Sequence, residues 1–349
     1  MKPLSRIVVV AIAVGVASTL TGTAAQAEKN GGARPSAAAA RASVVGHTAA
    51  VSLAEQRRVA RSWTPARMKA ARSGDLLAPP STGTARRGPV TGRTLTVPAR
   101  AARSTSVTTT STTDSTGEVY TGGGAVVKTT GRVFFRIGTA GYSCSGSAVN
   151  STNKDVVLTA GHCVNEGPNA AFVTDWVFVP GYVDGRAPHG VFTARHLLTT
   201  SAWAFGRDRS GDVGFAVVNT VGGRHLTDVV GGQGIAFNRQ IPTATSPFTF
   251  PYTHTFGYPV AAPYNGEALV HCAGTPVPDP NPFRWTQAIA CDMAAGASGG
   301  PWFHDFDPVT GTGTLGSVNS FIEPTLPGVV FAPYFDSAVA SIYQVARSL

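Results

Sequence analysis

Val156-Val157-Leu158-Thr159-Ala160-Gly161-His162-Cys163 places a histidine directly behind a short apolar run. Such a run, β-branched and bounded by small residues, reads as a buried strand that delivers the histidine to a turn. Two other stretches share this design. Asp212-Val213-Gly214-Phe215-Ala216-Val217-Val218 sets an aspartate at the mouth of an apolar strand, and Gly296-Ala297-Ser298-Gly299-Gly300-Pro301 sets a serine in a glycine-rich turn. A serine hydroxyl is a poor nucleophile near neutral pH and needs an adjacent base. An imidazole titrates in the right range, and a carboxylate on its far nitrogen fixes the tautomer and stabilises the imidazolium. Glycine around the serine lets the amides of Gly296 and Ser298 converge where an acyl-transfer oxyanion would develop. Each stretch alone is weak, but the order His162, Asp212, Ser298, at spacings of 50 and 86, gives the set its meaning.

Chain order separates the folds that use such a trio. Gly296-Ala297-Ser298-Gly299-Gly300 also fits the nucleophile elbow of α/β-hydrolases, which requires Asp and then His after the Ser. Only His304 follows Ser298, six residues on, so that reading fails. Subtilisin order needs Asp before His and a helix at the Ser, against the β-rich texture here.

That texture runs along most of the chain. Short β-type runs cover Arg132 to Ile137, Tyr142 to Val149, Asp155 to Thr159, Phe172 to Val179 and Val213 to Val218. Ala268 to Cys272, Thr314 to Phe321 and Val329 to Tyr334 continue the series, with Gly, Pro, Asn and Asp clusters between them. This is an all-β pattern, and a single helix is expected at Ser337 to Ala346. The 40 glycines and 24 prolines among 349 residues agree with many turns.

The net charge of +9 first suggests a nucleic-acid binder, but the charge is unevenly placed. Residues 1–115 hold 16 of the 28 Lys/Arg and four of the 19 Asp/Glu, so they carry +12 and the remainder −3. The larger part has no basic bias, which argues against nucleic-acid binding as the main role. Lys2 and Arg6, the uncharged run Ile7 to Leu20 and Ala25-Gln26-Ala27 read as a signal peptide over 1–27. Fourteen uncharged residues are too short to span a bilayer of ~30 Å, so no membrane span is expected. Residues 28–115, rich in Ala, Arg, Ser and Thr, read as a largely disordered prosegment, with processing between Arg100 and Gly124. Within it, Thr64 as N-cap and Pro65 as first helical residue mark a short docking helix around Ser62 to Met68. Four cysteines, Cys144, Cys163, Cys272 and Cys291, read as two disulfides in an exported chain, with three connectivities open. The spacings lack the Cys-x-x-Cys or His-x-x-x-His pattern of a zinc site.

With these motifs in view, the sequence resembles the chymotrypsin-like serine peptidases, specifically their bacterial V8-like (glutamyl endopeptidase-like) branch. The resemblance extends from about Val126 to Tyr343 and is carried by four blocks. They are Gly131-Arg132-Val133-Phe134-Phe135, Cys144-Ser145-Gly146-Ser147, the block ending in His162-Cys163, and Cys291-Asp292-Met293 leading into the Ser298 turn. It implies two antiparallel six-stranded β-barrels with the site between them, in a peptidase domain spanning 116–349. His162, Asp212 and Ser298 would be catalytic, and Gly296 and Ser298 would form the oxyanion hole. It implies disulfides Cys144–Cys163 and Cys272–Cys291, and no metal or organic cofactor. A monomeric, extracellular endopeptidase acting on proteins or peptides, with its own prosegment as partner, is the expected product. A catalytically silent binding protein and an esterase on the same machinery are the alternatives.

Two departures from relatives matter, one of them concerning specificity. Ala297 stands where trypsin-type enzymes carry the Asp that pairs with the freed N-terminus, so prosegment removal must act otherwise, by unblocking the cleft or by placing the new terminus elsewhere. Asp292 lies six residues before Ser298, at the trypsin-like S1 carboxylate position, while Met293 and Val318 replace the pocket Thr and His of glutamyl enzymes. Asp292, Met293 and Val318 are therefore the candidate S1 residues, without the glutamyl preference. The other histidines receive no role.

Overall fold

The computed structural model describes residues 44–77, 88–100, 113–239 and 250–349. The signal peptide over 1–27 and most of the Ser/Thr run after Ser104 lie outside them.

The N-terminal segment is more structured than its composition suggests. Strand β1 (Val44–Thr48) leads into a helix over Leu53–Ser62. Ser52 caps that helix in a reciprocal capping box with Glu55, which satisfies two otherwise orphaned amides. The docking helix is present as Pro65–Lys69, with the Thr64 side chain accepting from Arg67 N. Strands β2 (Arg72–Ser73), β3 (Leu95–Val97) and β4 (Ser115–Val119) follow.

Six strands then form a closed antiparallel barrel: β5 (Thr130–Ile137), β6 (Ala140–Val149), β7 (Val156–Thr159), β8 (Thr174–Pro180), β9 (Phe192–Thr200) and β10 (Gly214–Val218). The ring runs β5-β6-β7-β10-β9-β8 and back to β5. Val133, Phe135, Val157, Trp176, Phe178 and Leu197 belong to one buried cluster of this barrel. β7 and β10 are buried along their whole length, which explains why they read as unbroken apolar runs rather than alternating ones. Two N-terminal strands extend this barrel, β1 along β9 and β2 beside β6.

The part of the chain after β10 is built differently. It contains β11 (Gly234–Phe237), β12 (Thr253–Gly257), β13 (Val270–Gly274), β14 (Val277–Pro278), β15 (Thr286–Ala290), β16 (Pro301–Asp307), β17 (Thr312–Val318), β18 (Phe321–Glu323) and β19 (Leu326–Pro333). Its ladder is divided into a seven-stranded sheet, β3-β11-β17-β16-β12-β13-β4, and a four-stranded sheet, β14-β15-β19-β18. Covalent and side-chain links bridge the gap where a single six-stranded ladder was expected. The Cys272–Cys291 disulfide joins β13 to the end of β15, and Ser317 Oγ on β17 donates to Pro333 O on β19. The C-terminal helix spans Ser337–Ala346, as expected, with Asp336 accepting from Ala338 N and Val339 N at its start. Tyr343 on that helix packs near both Phe215 and Phe237 and so ties the two halves together.

Candidate active site

His162 stands on a single helical turn, Gly161–Cys163, immediately after β7. The turn is crowded. A Cβ at Gly161 would stand 2.9 Å from both Asp212 Oδ1 and Trp203 Cγ, so only glycine lets the chain pass. Cys163 bonds to Cys144 of β6, which fixes the far side of the turn. Cys144 and Cys163 both lie beside His162, but sulfurs joined to one another are not free thiolates for a metal.

Asp212 precedes β10, and its turn is held by Thr200 Oγ1 donating to Gly211 O. Both carboxylate oxygens are used. Oδ2 lies 2.8 Å from His162 Nδ1, and Oδ1 accepts from His162 N at 2.8 Å. Ser320 Oγ donates a third bond, to Oδ2 at 2.6 Å. The Asp212 carboxylate favours a proton on Nδ1. Burial presses the imidazole towards its neutral form. The Asp212 carboxylate, reinforced by the carboxylate of Asp75, outweighs this and carries His162 up to about 10. Burial likewise disfavours the charge on Asp212, but His162 and the bonds it receives keep its carboxyl below the usual range.

Ser298 follows the turn of Gly296, whose φ of +100° is left-handed and whose Cβ would meet Tyr258 O at 2.9 Å. That conformation belongs to glycine. The turn is held from three sides. Ser145 Oγ donates to Gly296 O, Ser145 N donates to Ser298 O, and Gly299 N donates to Asn319 O. The Asn319 side chain is fully engaged by Thr255, Trp302, Phe256 O and Ala297 O.

Into this site reaches Asp75, from the N-terminal segment. Its Oδ2 accepts from Gly296 N at 2.6 Å, Ser298 Oγ donates to its Oδ1, and His162 Nε2 lies 3.5 Å from the same Oδ1. His162, Asp212, Ser298 and Gly296 thus lie together, joined through Asp75. Asp75, Ser320, Ser145 and Asn319 were not singled out. Asp75 alone carried a signal, as the only acidic residue between Glu55 and Asp114 in a basic segment.

The candidate S1 residues separate. Met293 lines a small cavity of about 20 Å³ beside Ser298, together with Ala294, Phe321, Ile322 and Val330. Val318 is buried at the end of β17, opposite Pro301. Asp292 is exposed; its Oδ1 accepts from Tyr264 Oη and its amide donates to Thr116 O. Its carboxylate is therefore held outside the cavity wall. Both disulfides take the pairing that the resemblance implied.

A closed antiparallel barrel carrying a His–Asp pair, set against a second β-unit carrying a serine turn, is the architecture of chymotrypsin-like proteins. Comparison with solved structures agrees. Protease Anisep from Arthrobacter nicotinovorans is 40% identical with a TM-score of 0.60, over 67% of this chain and 100% of its own. The thermostable serine protease AL20 from an extremophilic microorganism is 38% identical with a TM-score of 0.58, over 64% of this chain and 99% of its own. A Glu endopeptidase, at 16% identity and a TM-score of 0.50 over 68% of this chain and 98% of its own, shares the fold. No family model and no curated protein matches the chain. The chain belongs to the chymotrypsin-like serine peptidases.

Proposed function

We propose that the protein is a secreted serine endopeptidase made as a precursor, with a signal peptide over 1–27, a prosegment over 28–115 and a peptidase domain over 116–349. One observation carries the catalytic reading. His162 Nε2, Ser298 Oγ and Gly296 N all meet a single carboxylate, so base, nucleophile and oxyanion donor converge on a volume the size of one carboxyl group. A reacting carbonyl needs that arrangement. The printed names of the relatives, a protease and a serine protease, support peptide bonds as the substrate.

With the site vacated, Ser298 Oγ attacks the peptide carbonyl carbon while His162 Nε2 takes its proton. The carbonyl oxygen gains charge and is held by the Gly296 and Ser298 amides. The imidazolium, steadied by Asp212, then gives its proton to the leaving amine as the C–N bond breaks. Water then attacks the acyl carbon while His162 takes its proton; the C–Oγ bond breaks as the imidazolium gives that proton to Ser298 Oγ, releasing the acid. The lining of Met293, Ala294, Phe321, Ile322 and Val330, with Asn319 and Ser320 as polar members, suits a small uncharged P1 side chain rather than Glu or Arg.

A peptide panel with Ala, Leu, Glu and Arg at P1, assayed with the processed wild type and with Ser298→Ala, tests both statements. The variant should lose at least ~10³-fold in kcat/KM while keeping its melting temperature. Equal hydrolysis by the variant would end the catalytic reading, and fastest cleavage after Glu or Arg would end the P1 reading.

A further inference from the structure

The same convergence of groups raises a different question: what a carboxylate is doing there. Asp75 is delivered by a segment anchored at several points. Trp63 is 4% exposed, packs on Phe134 and donates its Nε1–H to Asp175 O. Arg58 pairs with Asp175 and Lys69 with Asp184, at 2.9 and 2.8 Å. The chain then adds β2 alongside β6, with Arg72 opposite Tyr142 and Ser73 opposite Ser143. At Gly74 it runs so close to the first disulfide that a Cβ would stand 2.6 Å from Cys144 Sγ. The next residue is Asp75. Ser73 Oγ accepts from Asp75 N and donates to Asp75 Oδ2, which aims the carboxylate before it meets the site.

We propose that Asp75 is the inhibitory residue of the precursor, a carboxylate that occupies the place of a substrate carbonyl and blocks Ser298, His162 and the Gly296 amide together. This rests on the catalytic reading above and adds the regulation of that site. The chemistry favours a stable block over a reaction. Resonance and negative charge make a carboxylate carbon a poor electrophile, so Ser298 forms no bond to it. The group resembles the acid product of peptide hydrolysis, which binds the oxyanion donors without being turned over. A second effect acts in the same direction: the Asp75 carboxylate, 3.5 Å from His162 Nε2, adds to Asp212 in favouring the protonated imidazole, which takes no proton from Ser298.

The test uses the intact precursor, its mass verified, reacted with a fluorophosphonate that labels activated serines. Wild type, Asp75→Ala, Asp75→Asn and the wild type processed by limited proteolysis are compared. Asp75→Ala should label at least ~100-fold faster than the wild-type precursor, because a carboxylate that no longer competes frees most of the site. Asp75→Asn should fall between, since its amide oxygen can still accept from Gly296 N; it keeps the side-chain shape and decides the matter if the alanine variant fails to fold. The low-field NMR resonance of the His162–Asp212 proton gives a second readout. Its titration midpoint should be lower in Asp75→Asn than in the wild-type precursor, since one of the two carboxylates that favour the charged ring is gone.

Labelling of the wild-type precursor within about threefold of both variants would overturn the proposal, since Asp75 would then block nothing. So would unreactive variants beside a reactive processed form, because the block would belong to the rest of the segment. Failure of every form, the processed one included, would overturn the catalytic reading and the inhibitory role with it.

Discussion

The two halves of the peptidase region bury histidines in opposite ways. In the first, His162 is fully buried with a carboxylate on Nδ1, and its pKa rises to about 10. In the second, His254, His271 and His304 are almost as buried, yet burial drives each down to about 4. His254 and His271 stack, with His254 Nδ1 2.9 Å from His271 Nε2, and His304 Nδ1 meets only the Thr253 hydroxyl. A low-dielectric interior keeps an imidazole neutral unless an anion answers its charge. Burial alone therefore makes a packing residue. The Asp212 partner instead lets the buried ring carry a proton.

Asp212→Asn should break this contrast most severely. The amide carries no charge to stabilise an imidazolium and can hold the ring in the wrong tautomer. A loss of ~10³–10⁴-fold in kcat of the processed enzyme is expected, with the fold retained by circular dichroism. A loss under tenfold would mean that His162 is a base without Asp212.

Acid should expose the second half. A histidine whose folded pKa is lowered takes up its proton in the unfolded chain first, so its cost to stability is absent above about 6.5. That cost grows as pH falls from there towards the folded value of about 4. Each such group contributes at most ~1.4 kcal/mol per pH unit across that window. Urea unfolding of the processed form should show the decline, and His304→Gln should flatten it by up to one group's share. A slope unchanged by that substitution would show that His304 protonates equally in both states.

Ser320→Ala should sharpen the comparison with the smallest effect. It removes one of the three bonds that hold Asp212 and leaves the His162 contacts in place. A buried hydrogen bond to a charged group contributes ~1.5–3 kcal/mol, so a drop of roughly 10- to 100-fold in kcat/KM is expected. Unchanged kinetics would place Ser320 outside the positioning of Asp212.

Much of this arrangement was legible in the chain. The strand runs around His162 and Asp212 fell where β7 and β10 lie, and the C-terminal helix matched at both ends. The expected strand Thr314 to Phe321 is instead two, β17 and β18, with Asn319 and Ser320 at the corner between them. Both residues spend their side chains on the site there, and no local pattern marks such a corner. β16 was missed because it begins with Pro301, carries two aspartates and is bulged at Trp302 and His304, which breaks the two-residue alternation. β9, with Arg195 and His196 inside it, was missed because its neighbours bury it despite its mixed composition.

What the sequence determined by itself was the candidate site: three motifs in one order, each read within a strand and its turn, where neighbours along the chain dictate geometry. Only the tertiary structure decided what fills the site. Asp75 lies 221 residues before Gly296 and 223 before Ser298, and it meets them because β2 pairs with β6 and Trp63 anchors the preceding helices. Contacts at that separation come from packing of distant surfaces, whose side chains carry no mutual pattern for a local reading to find.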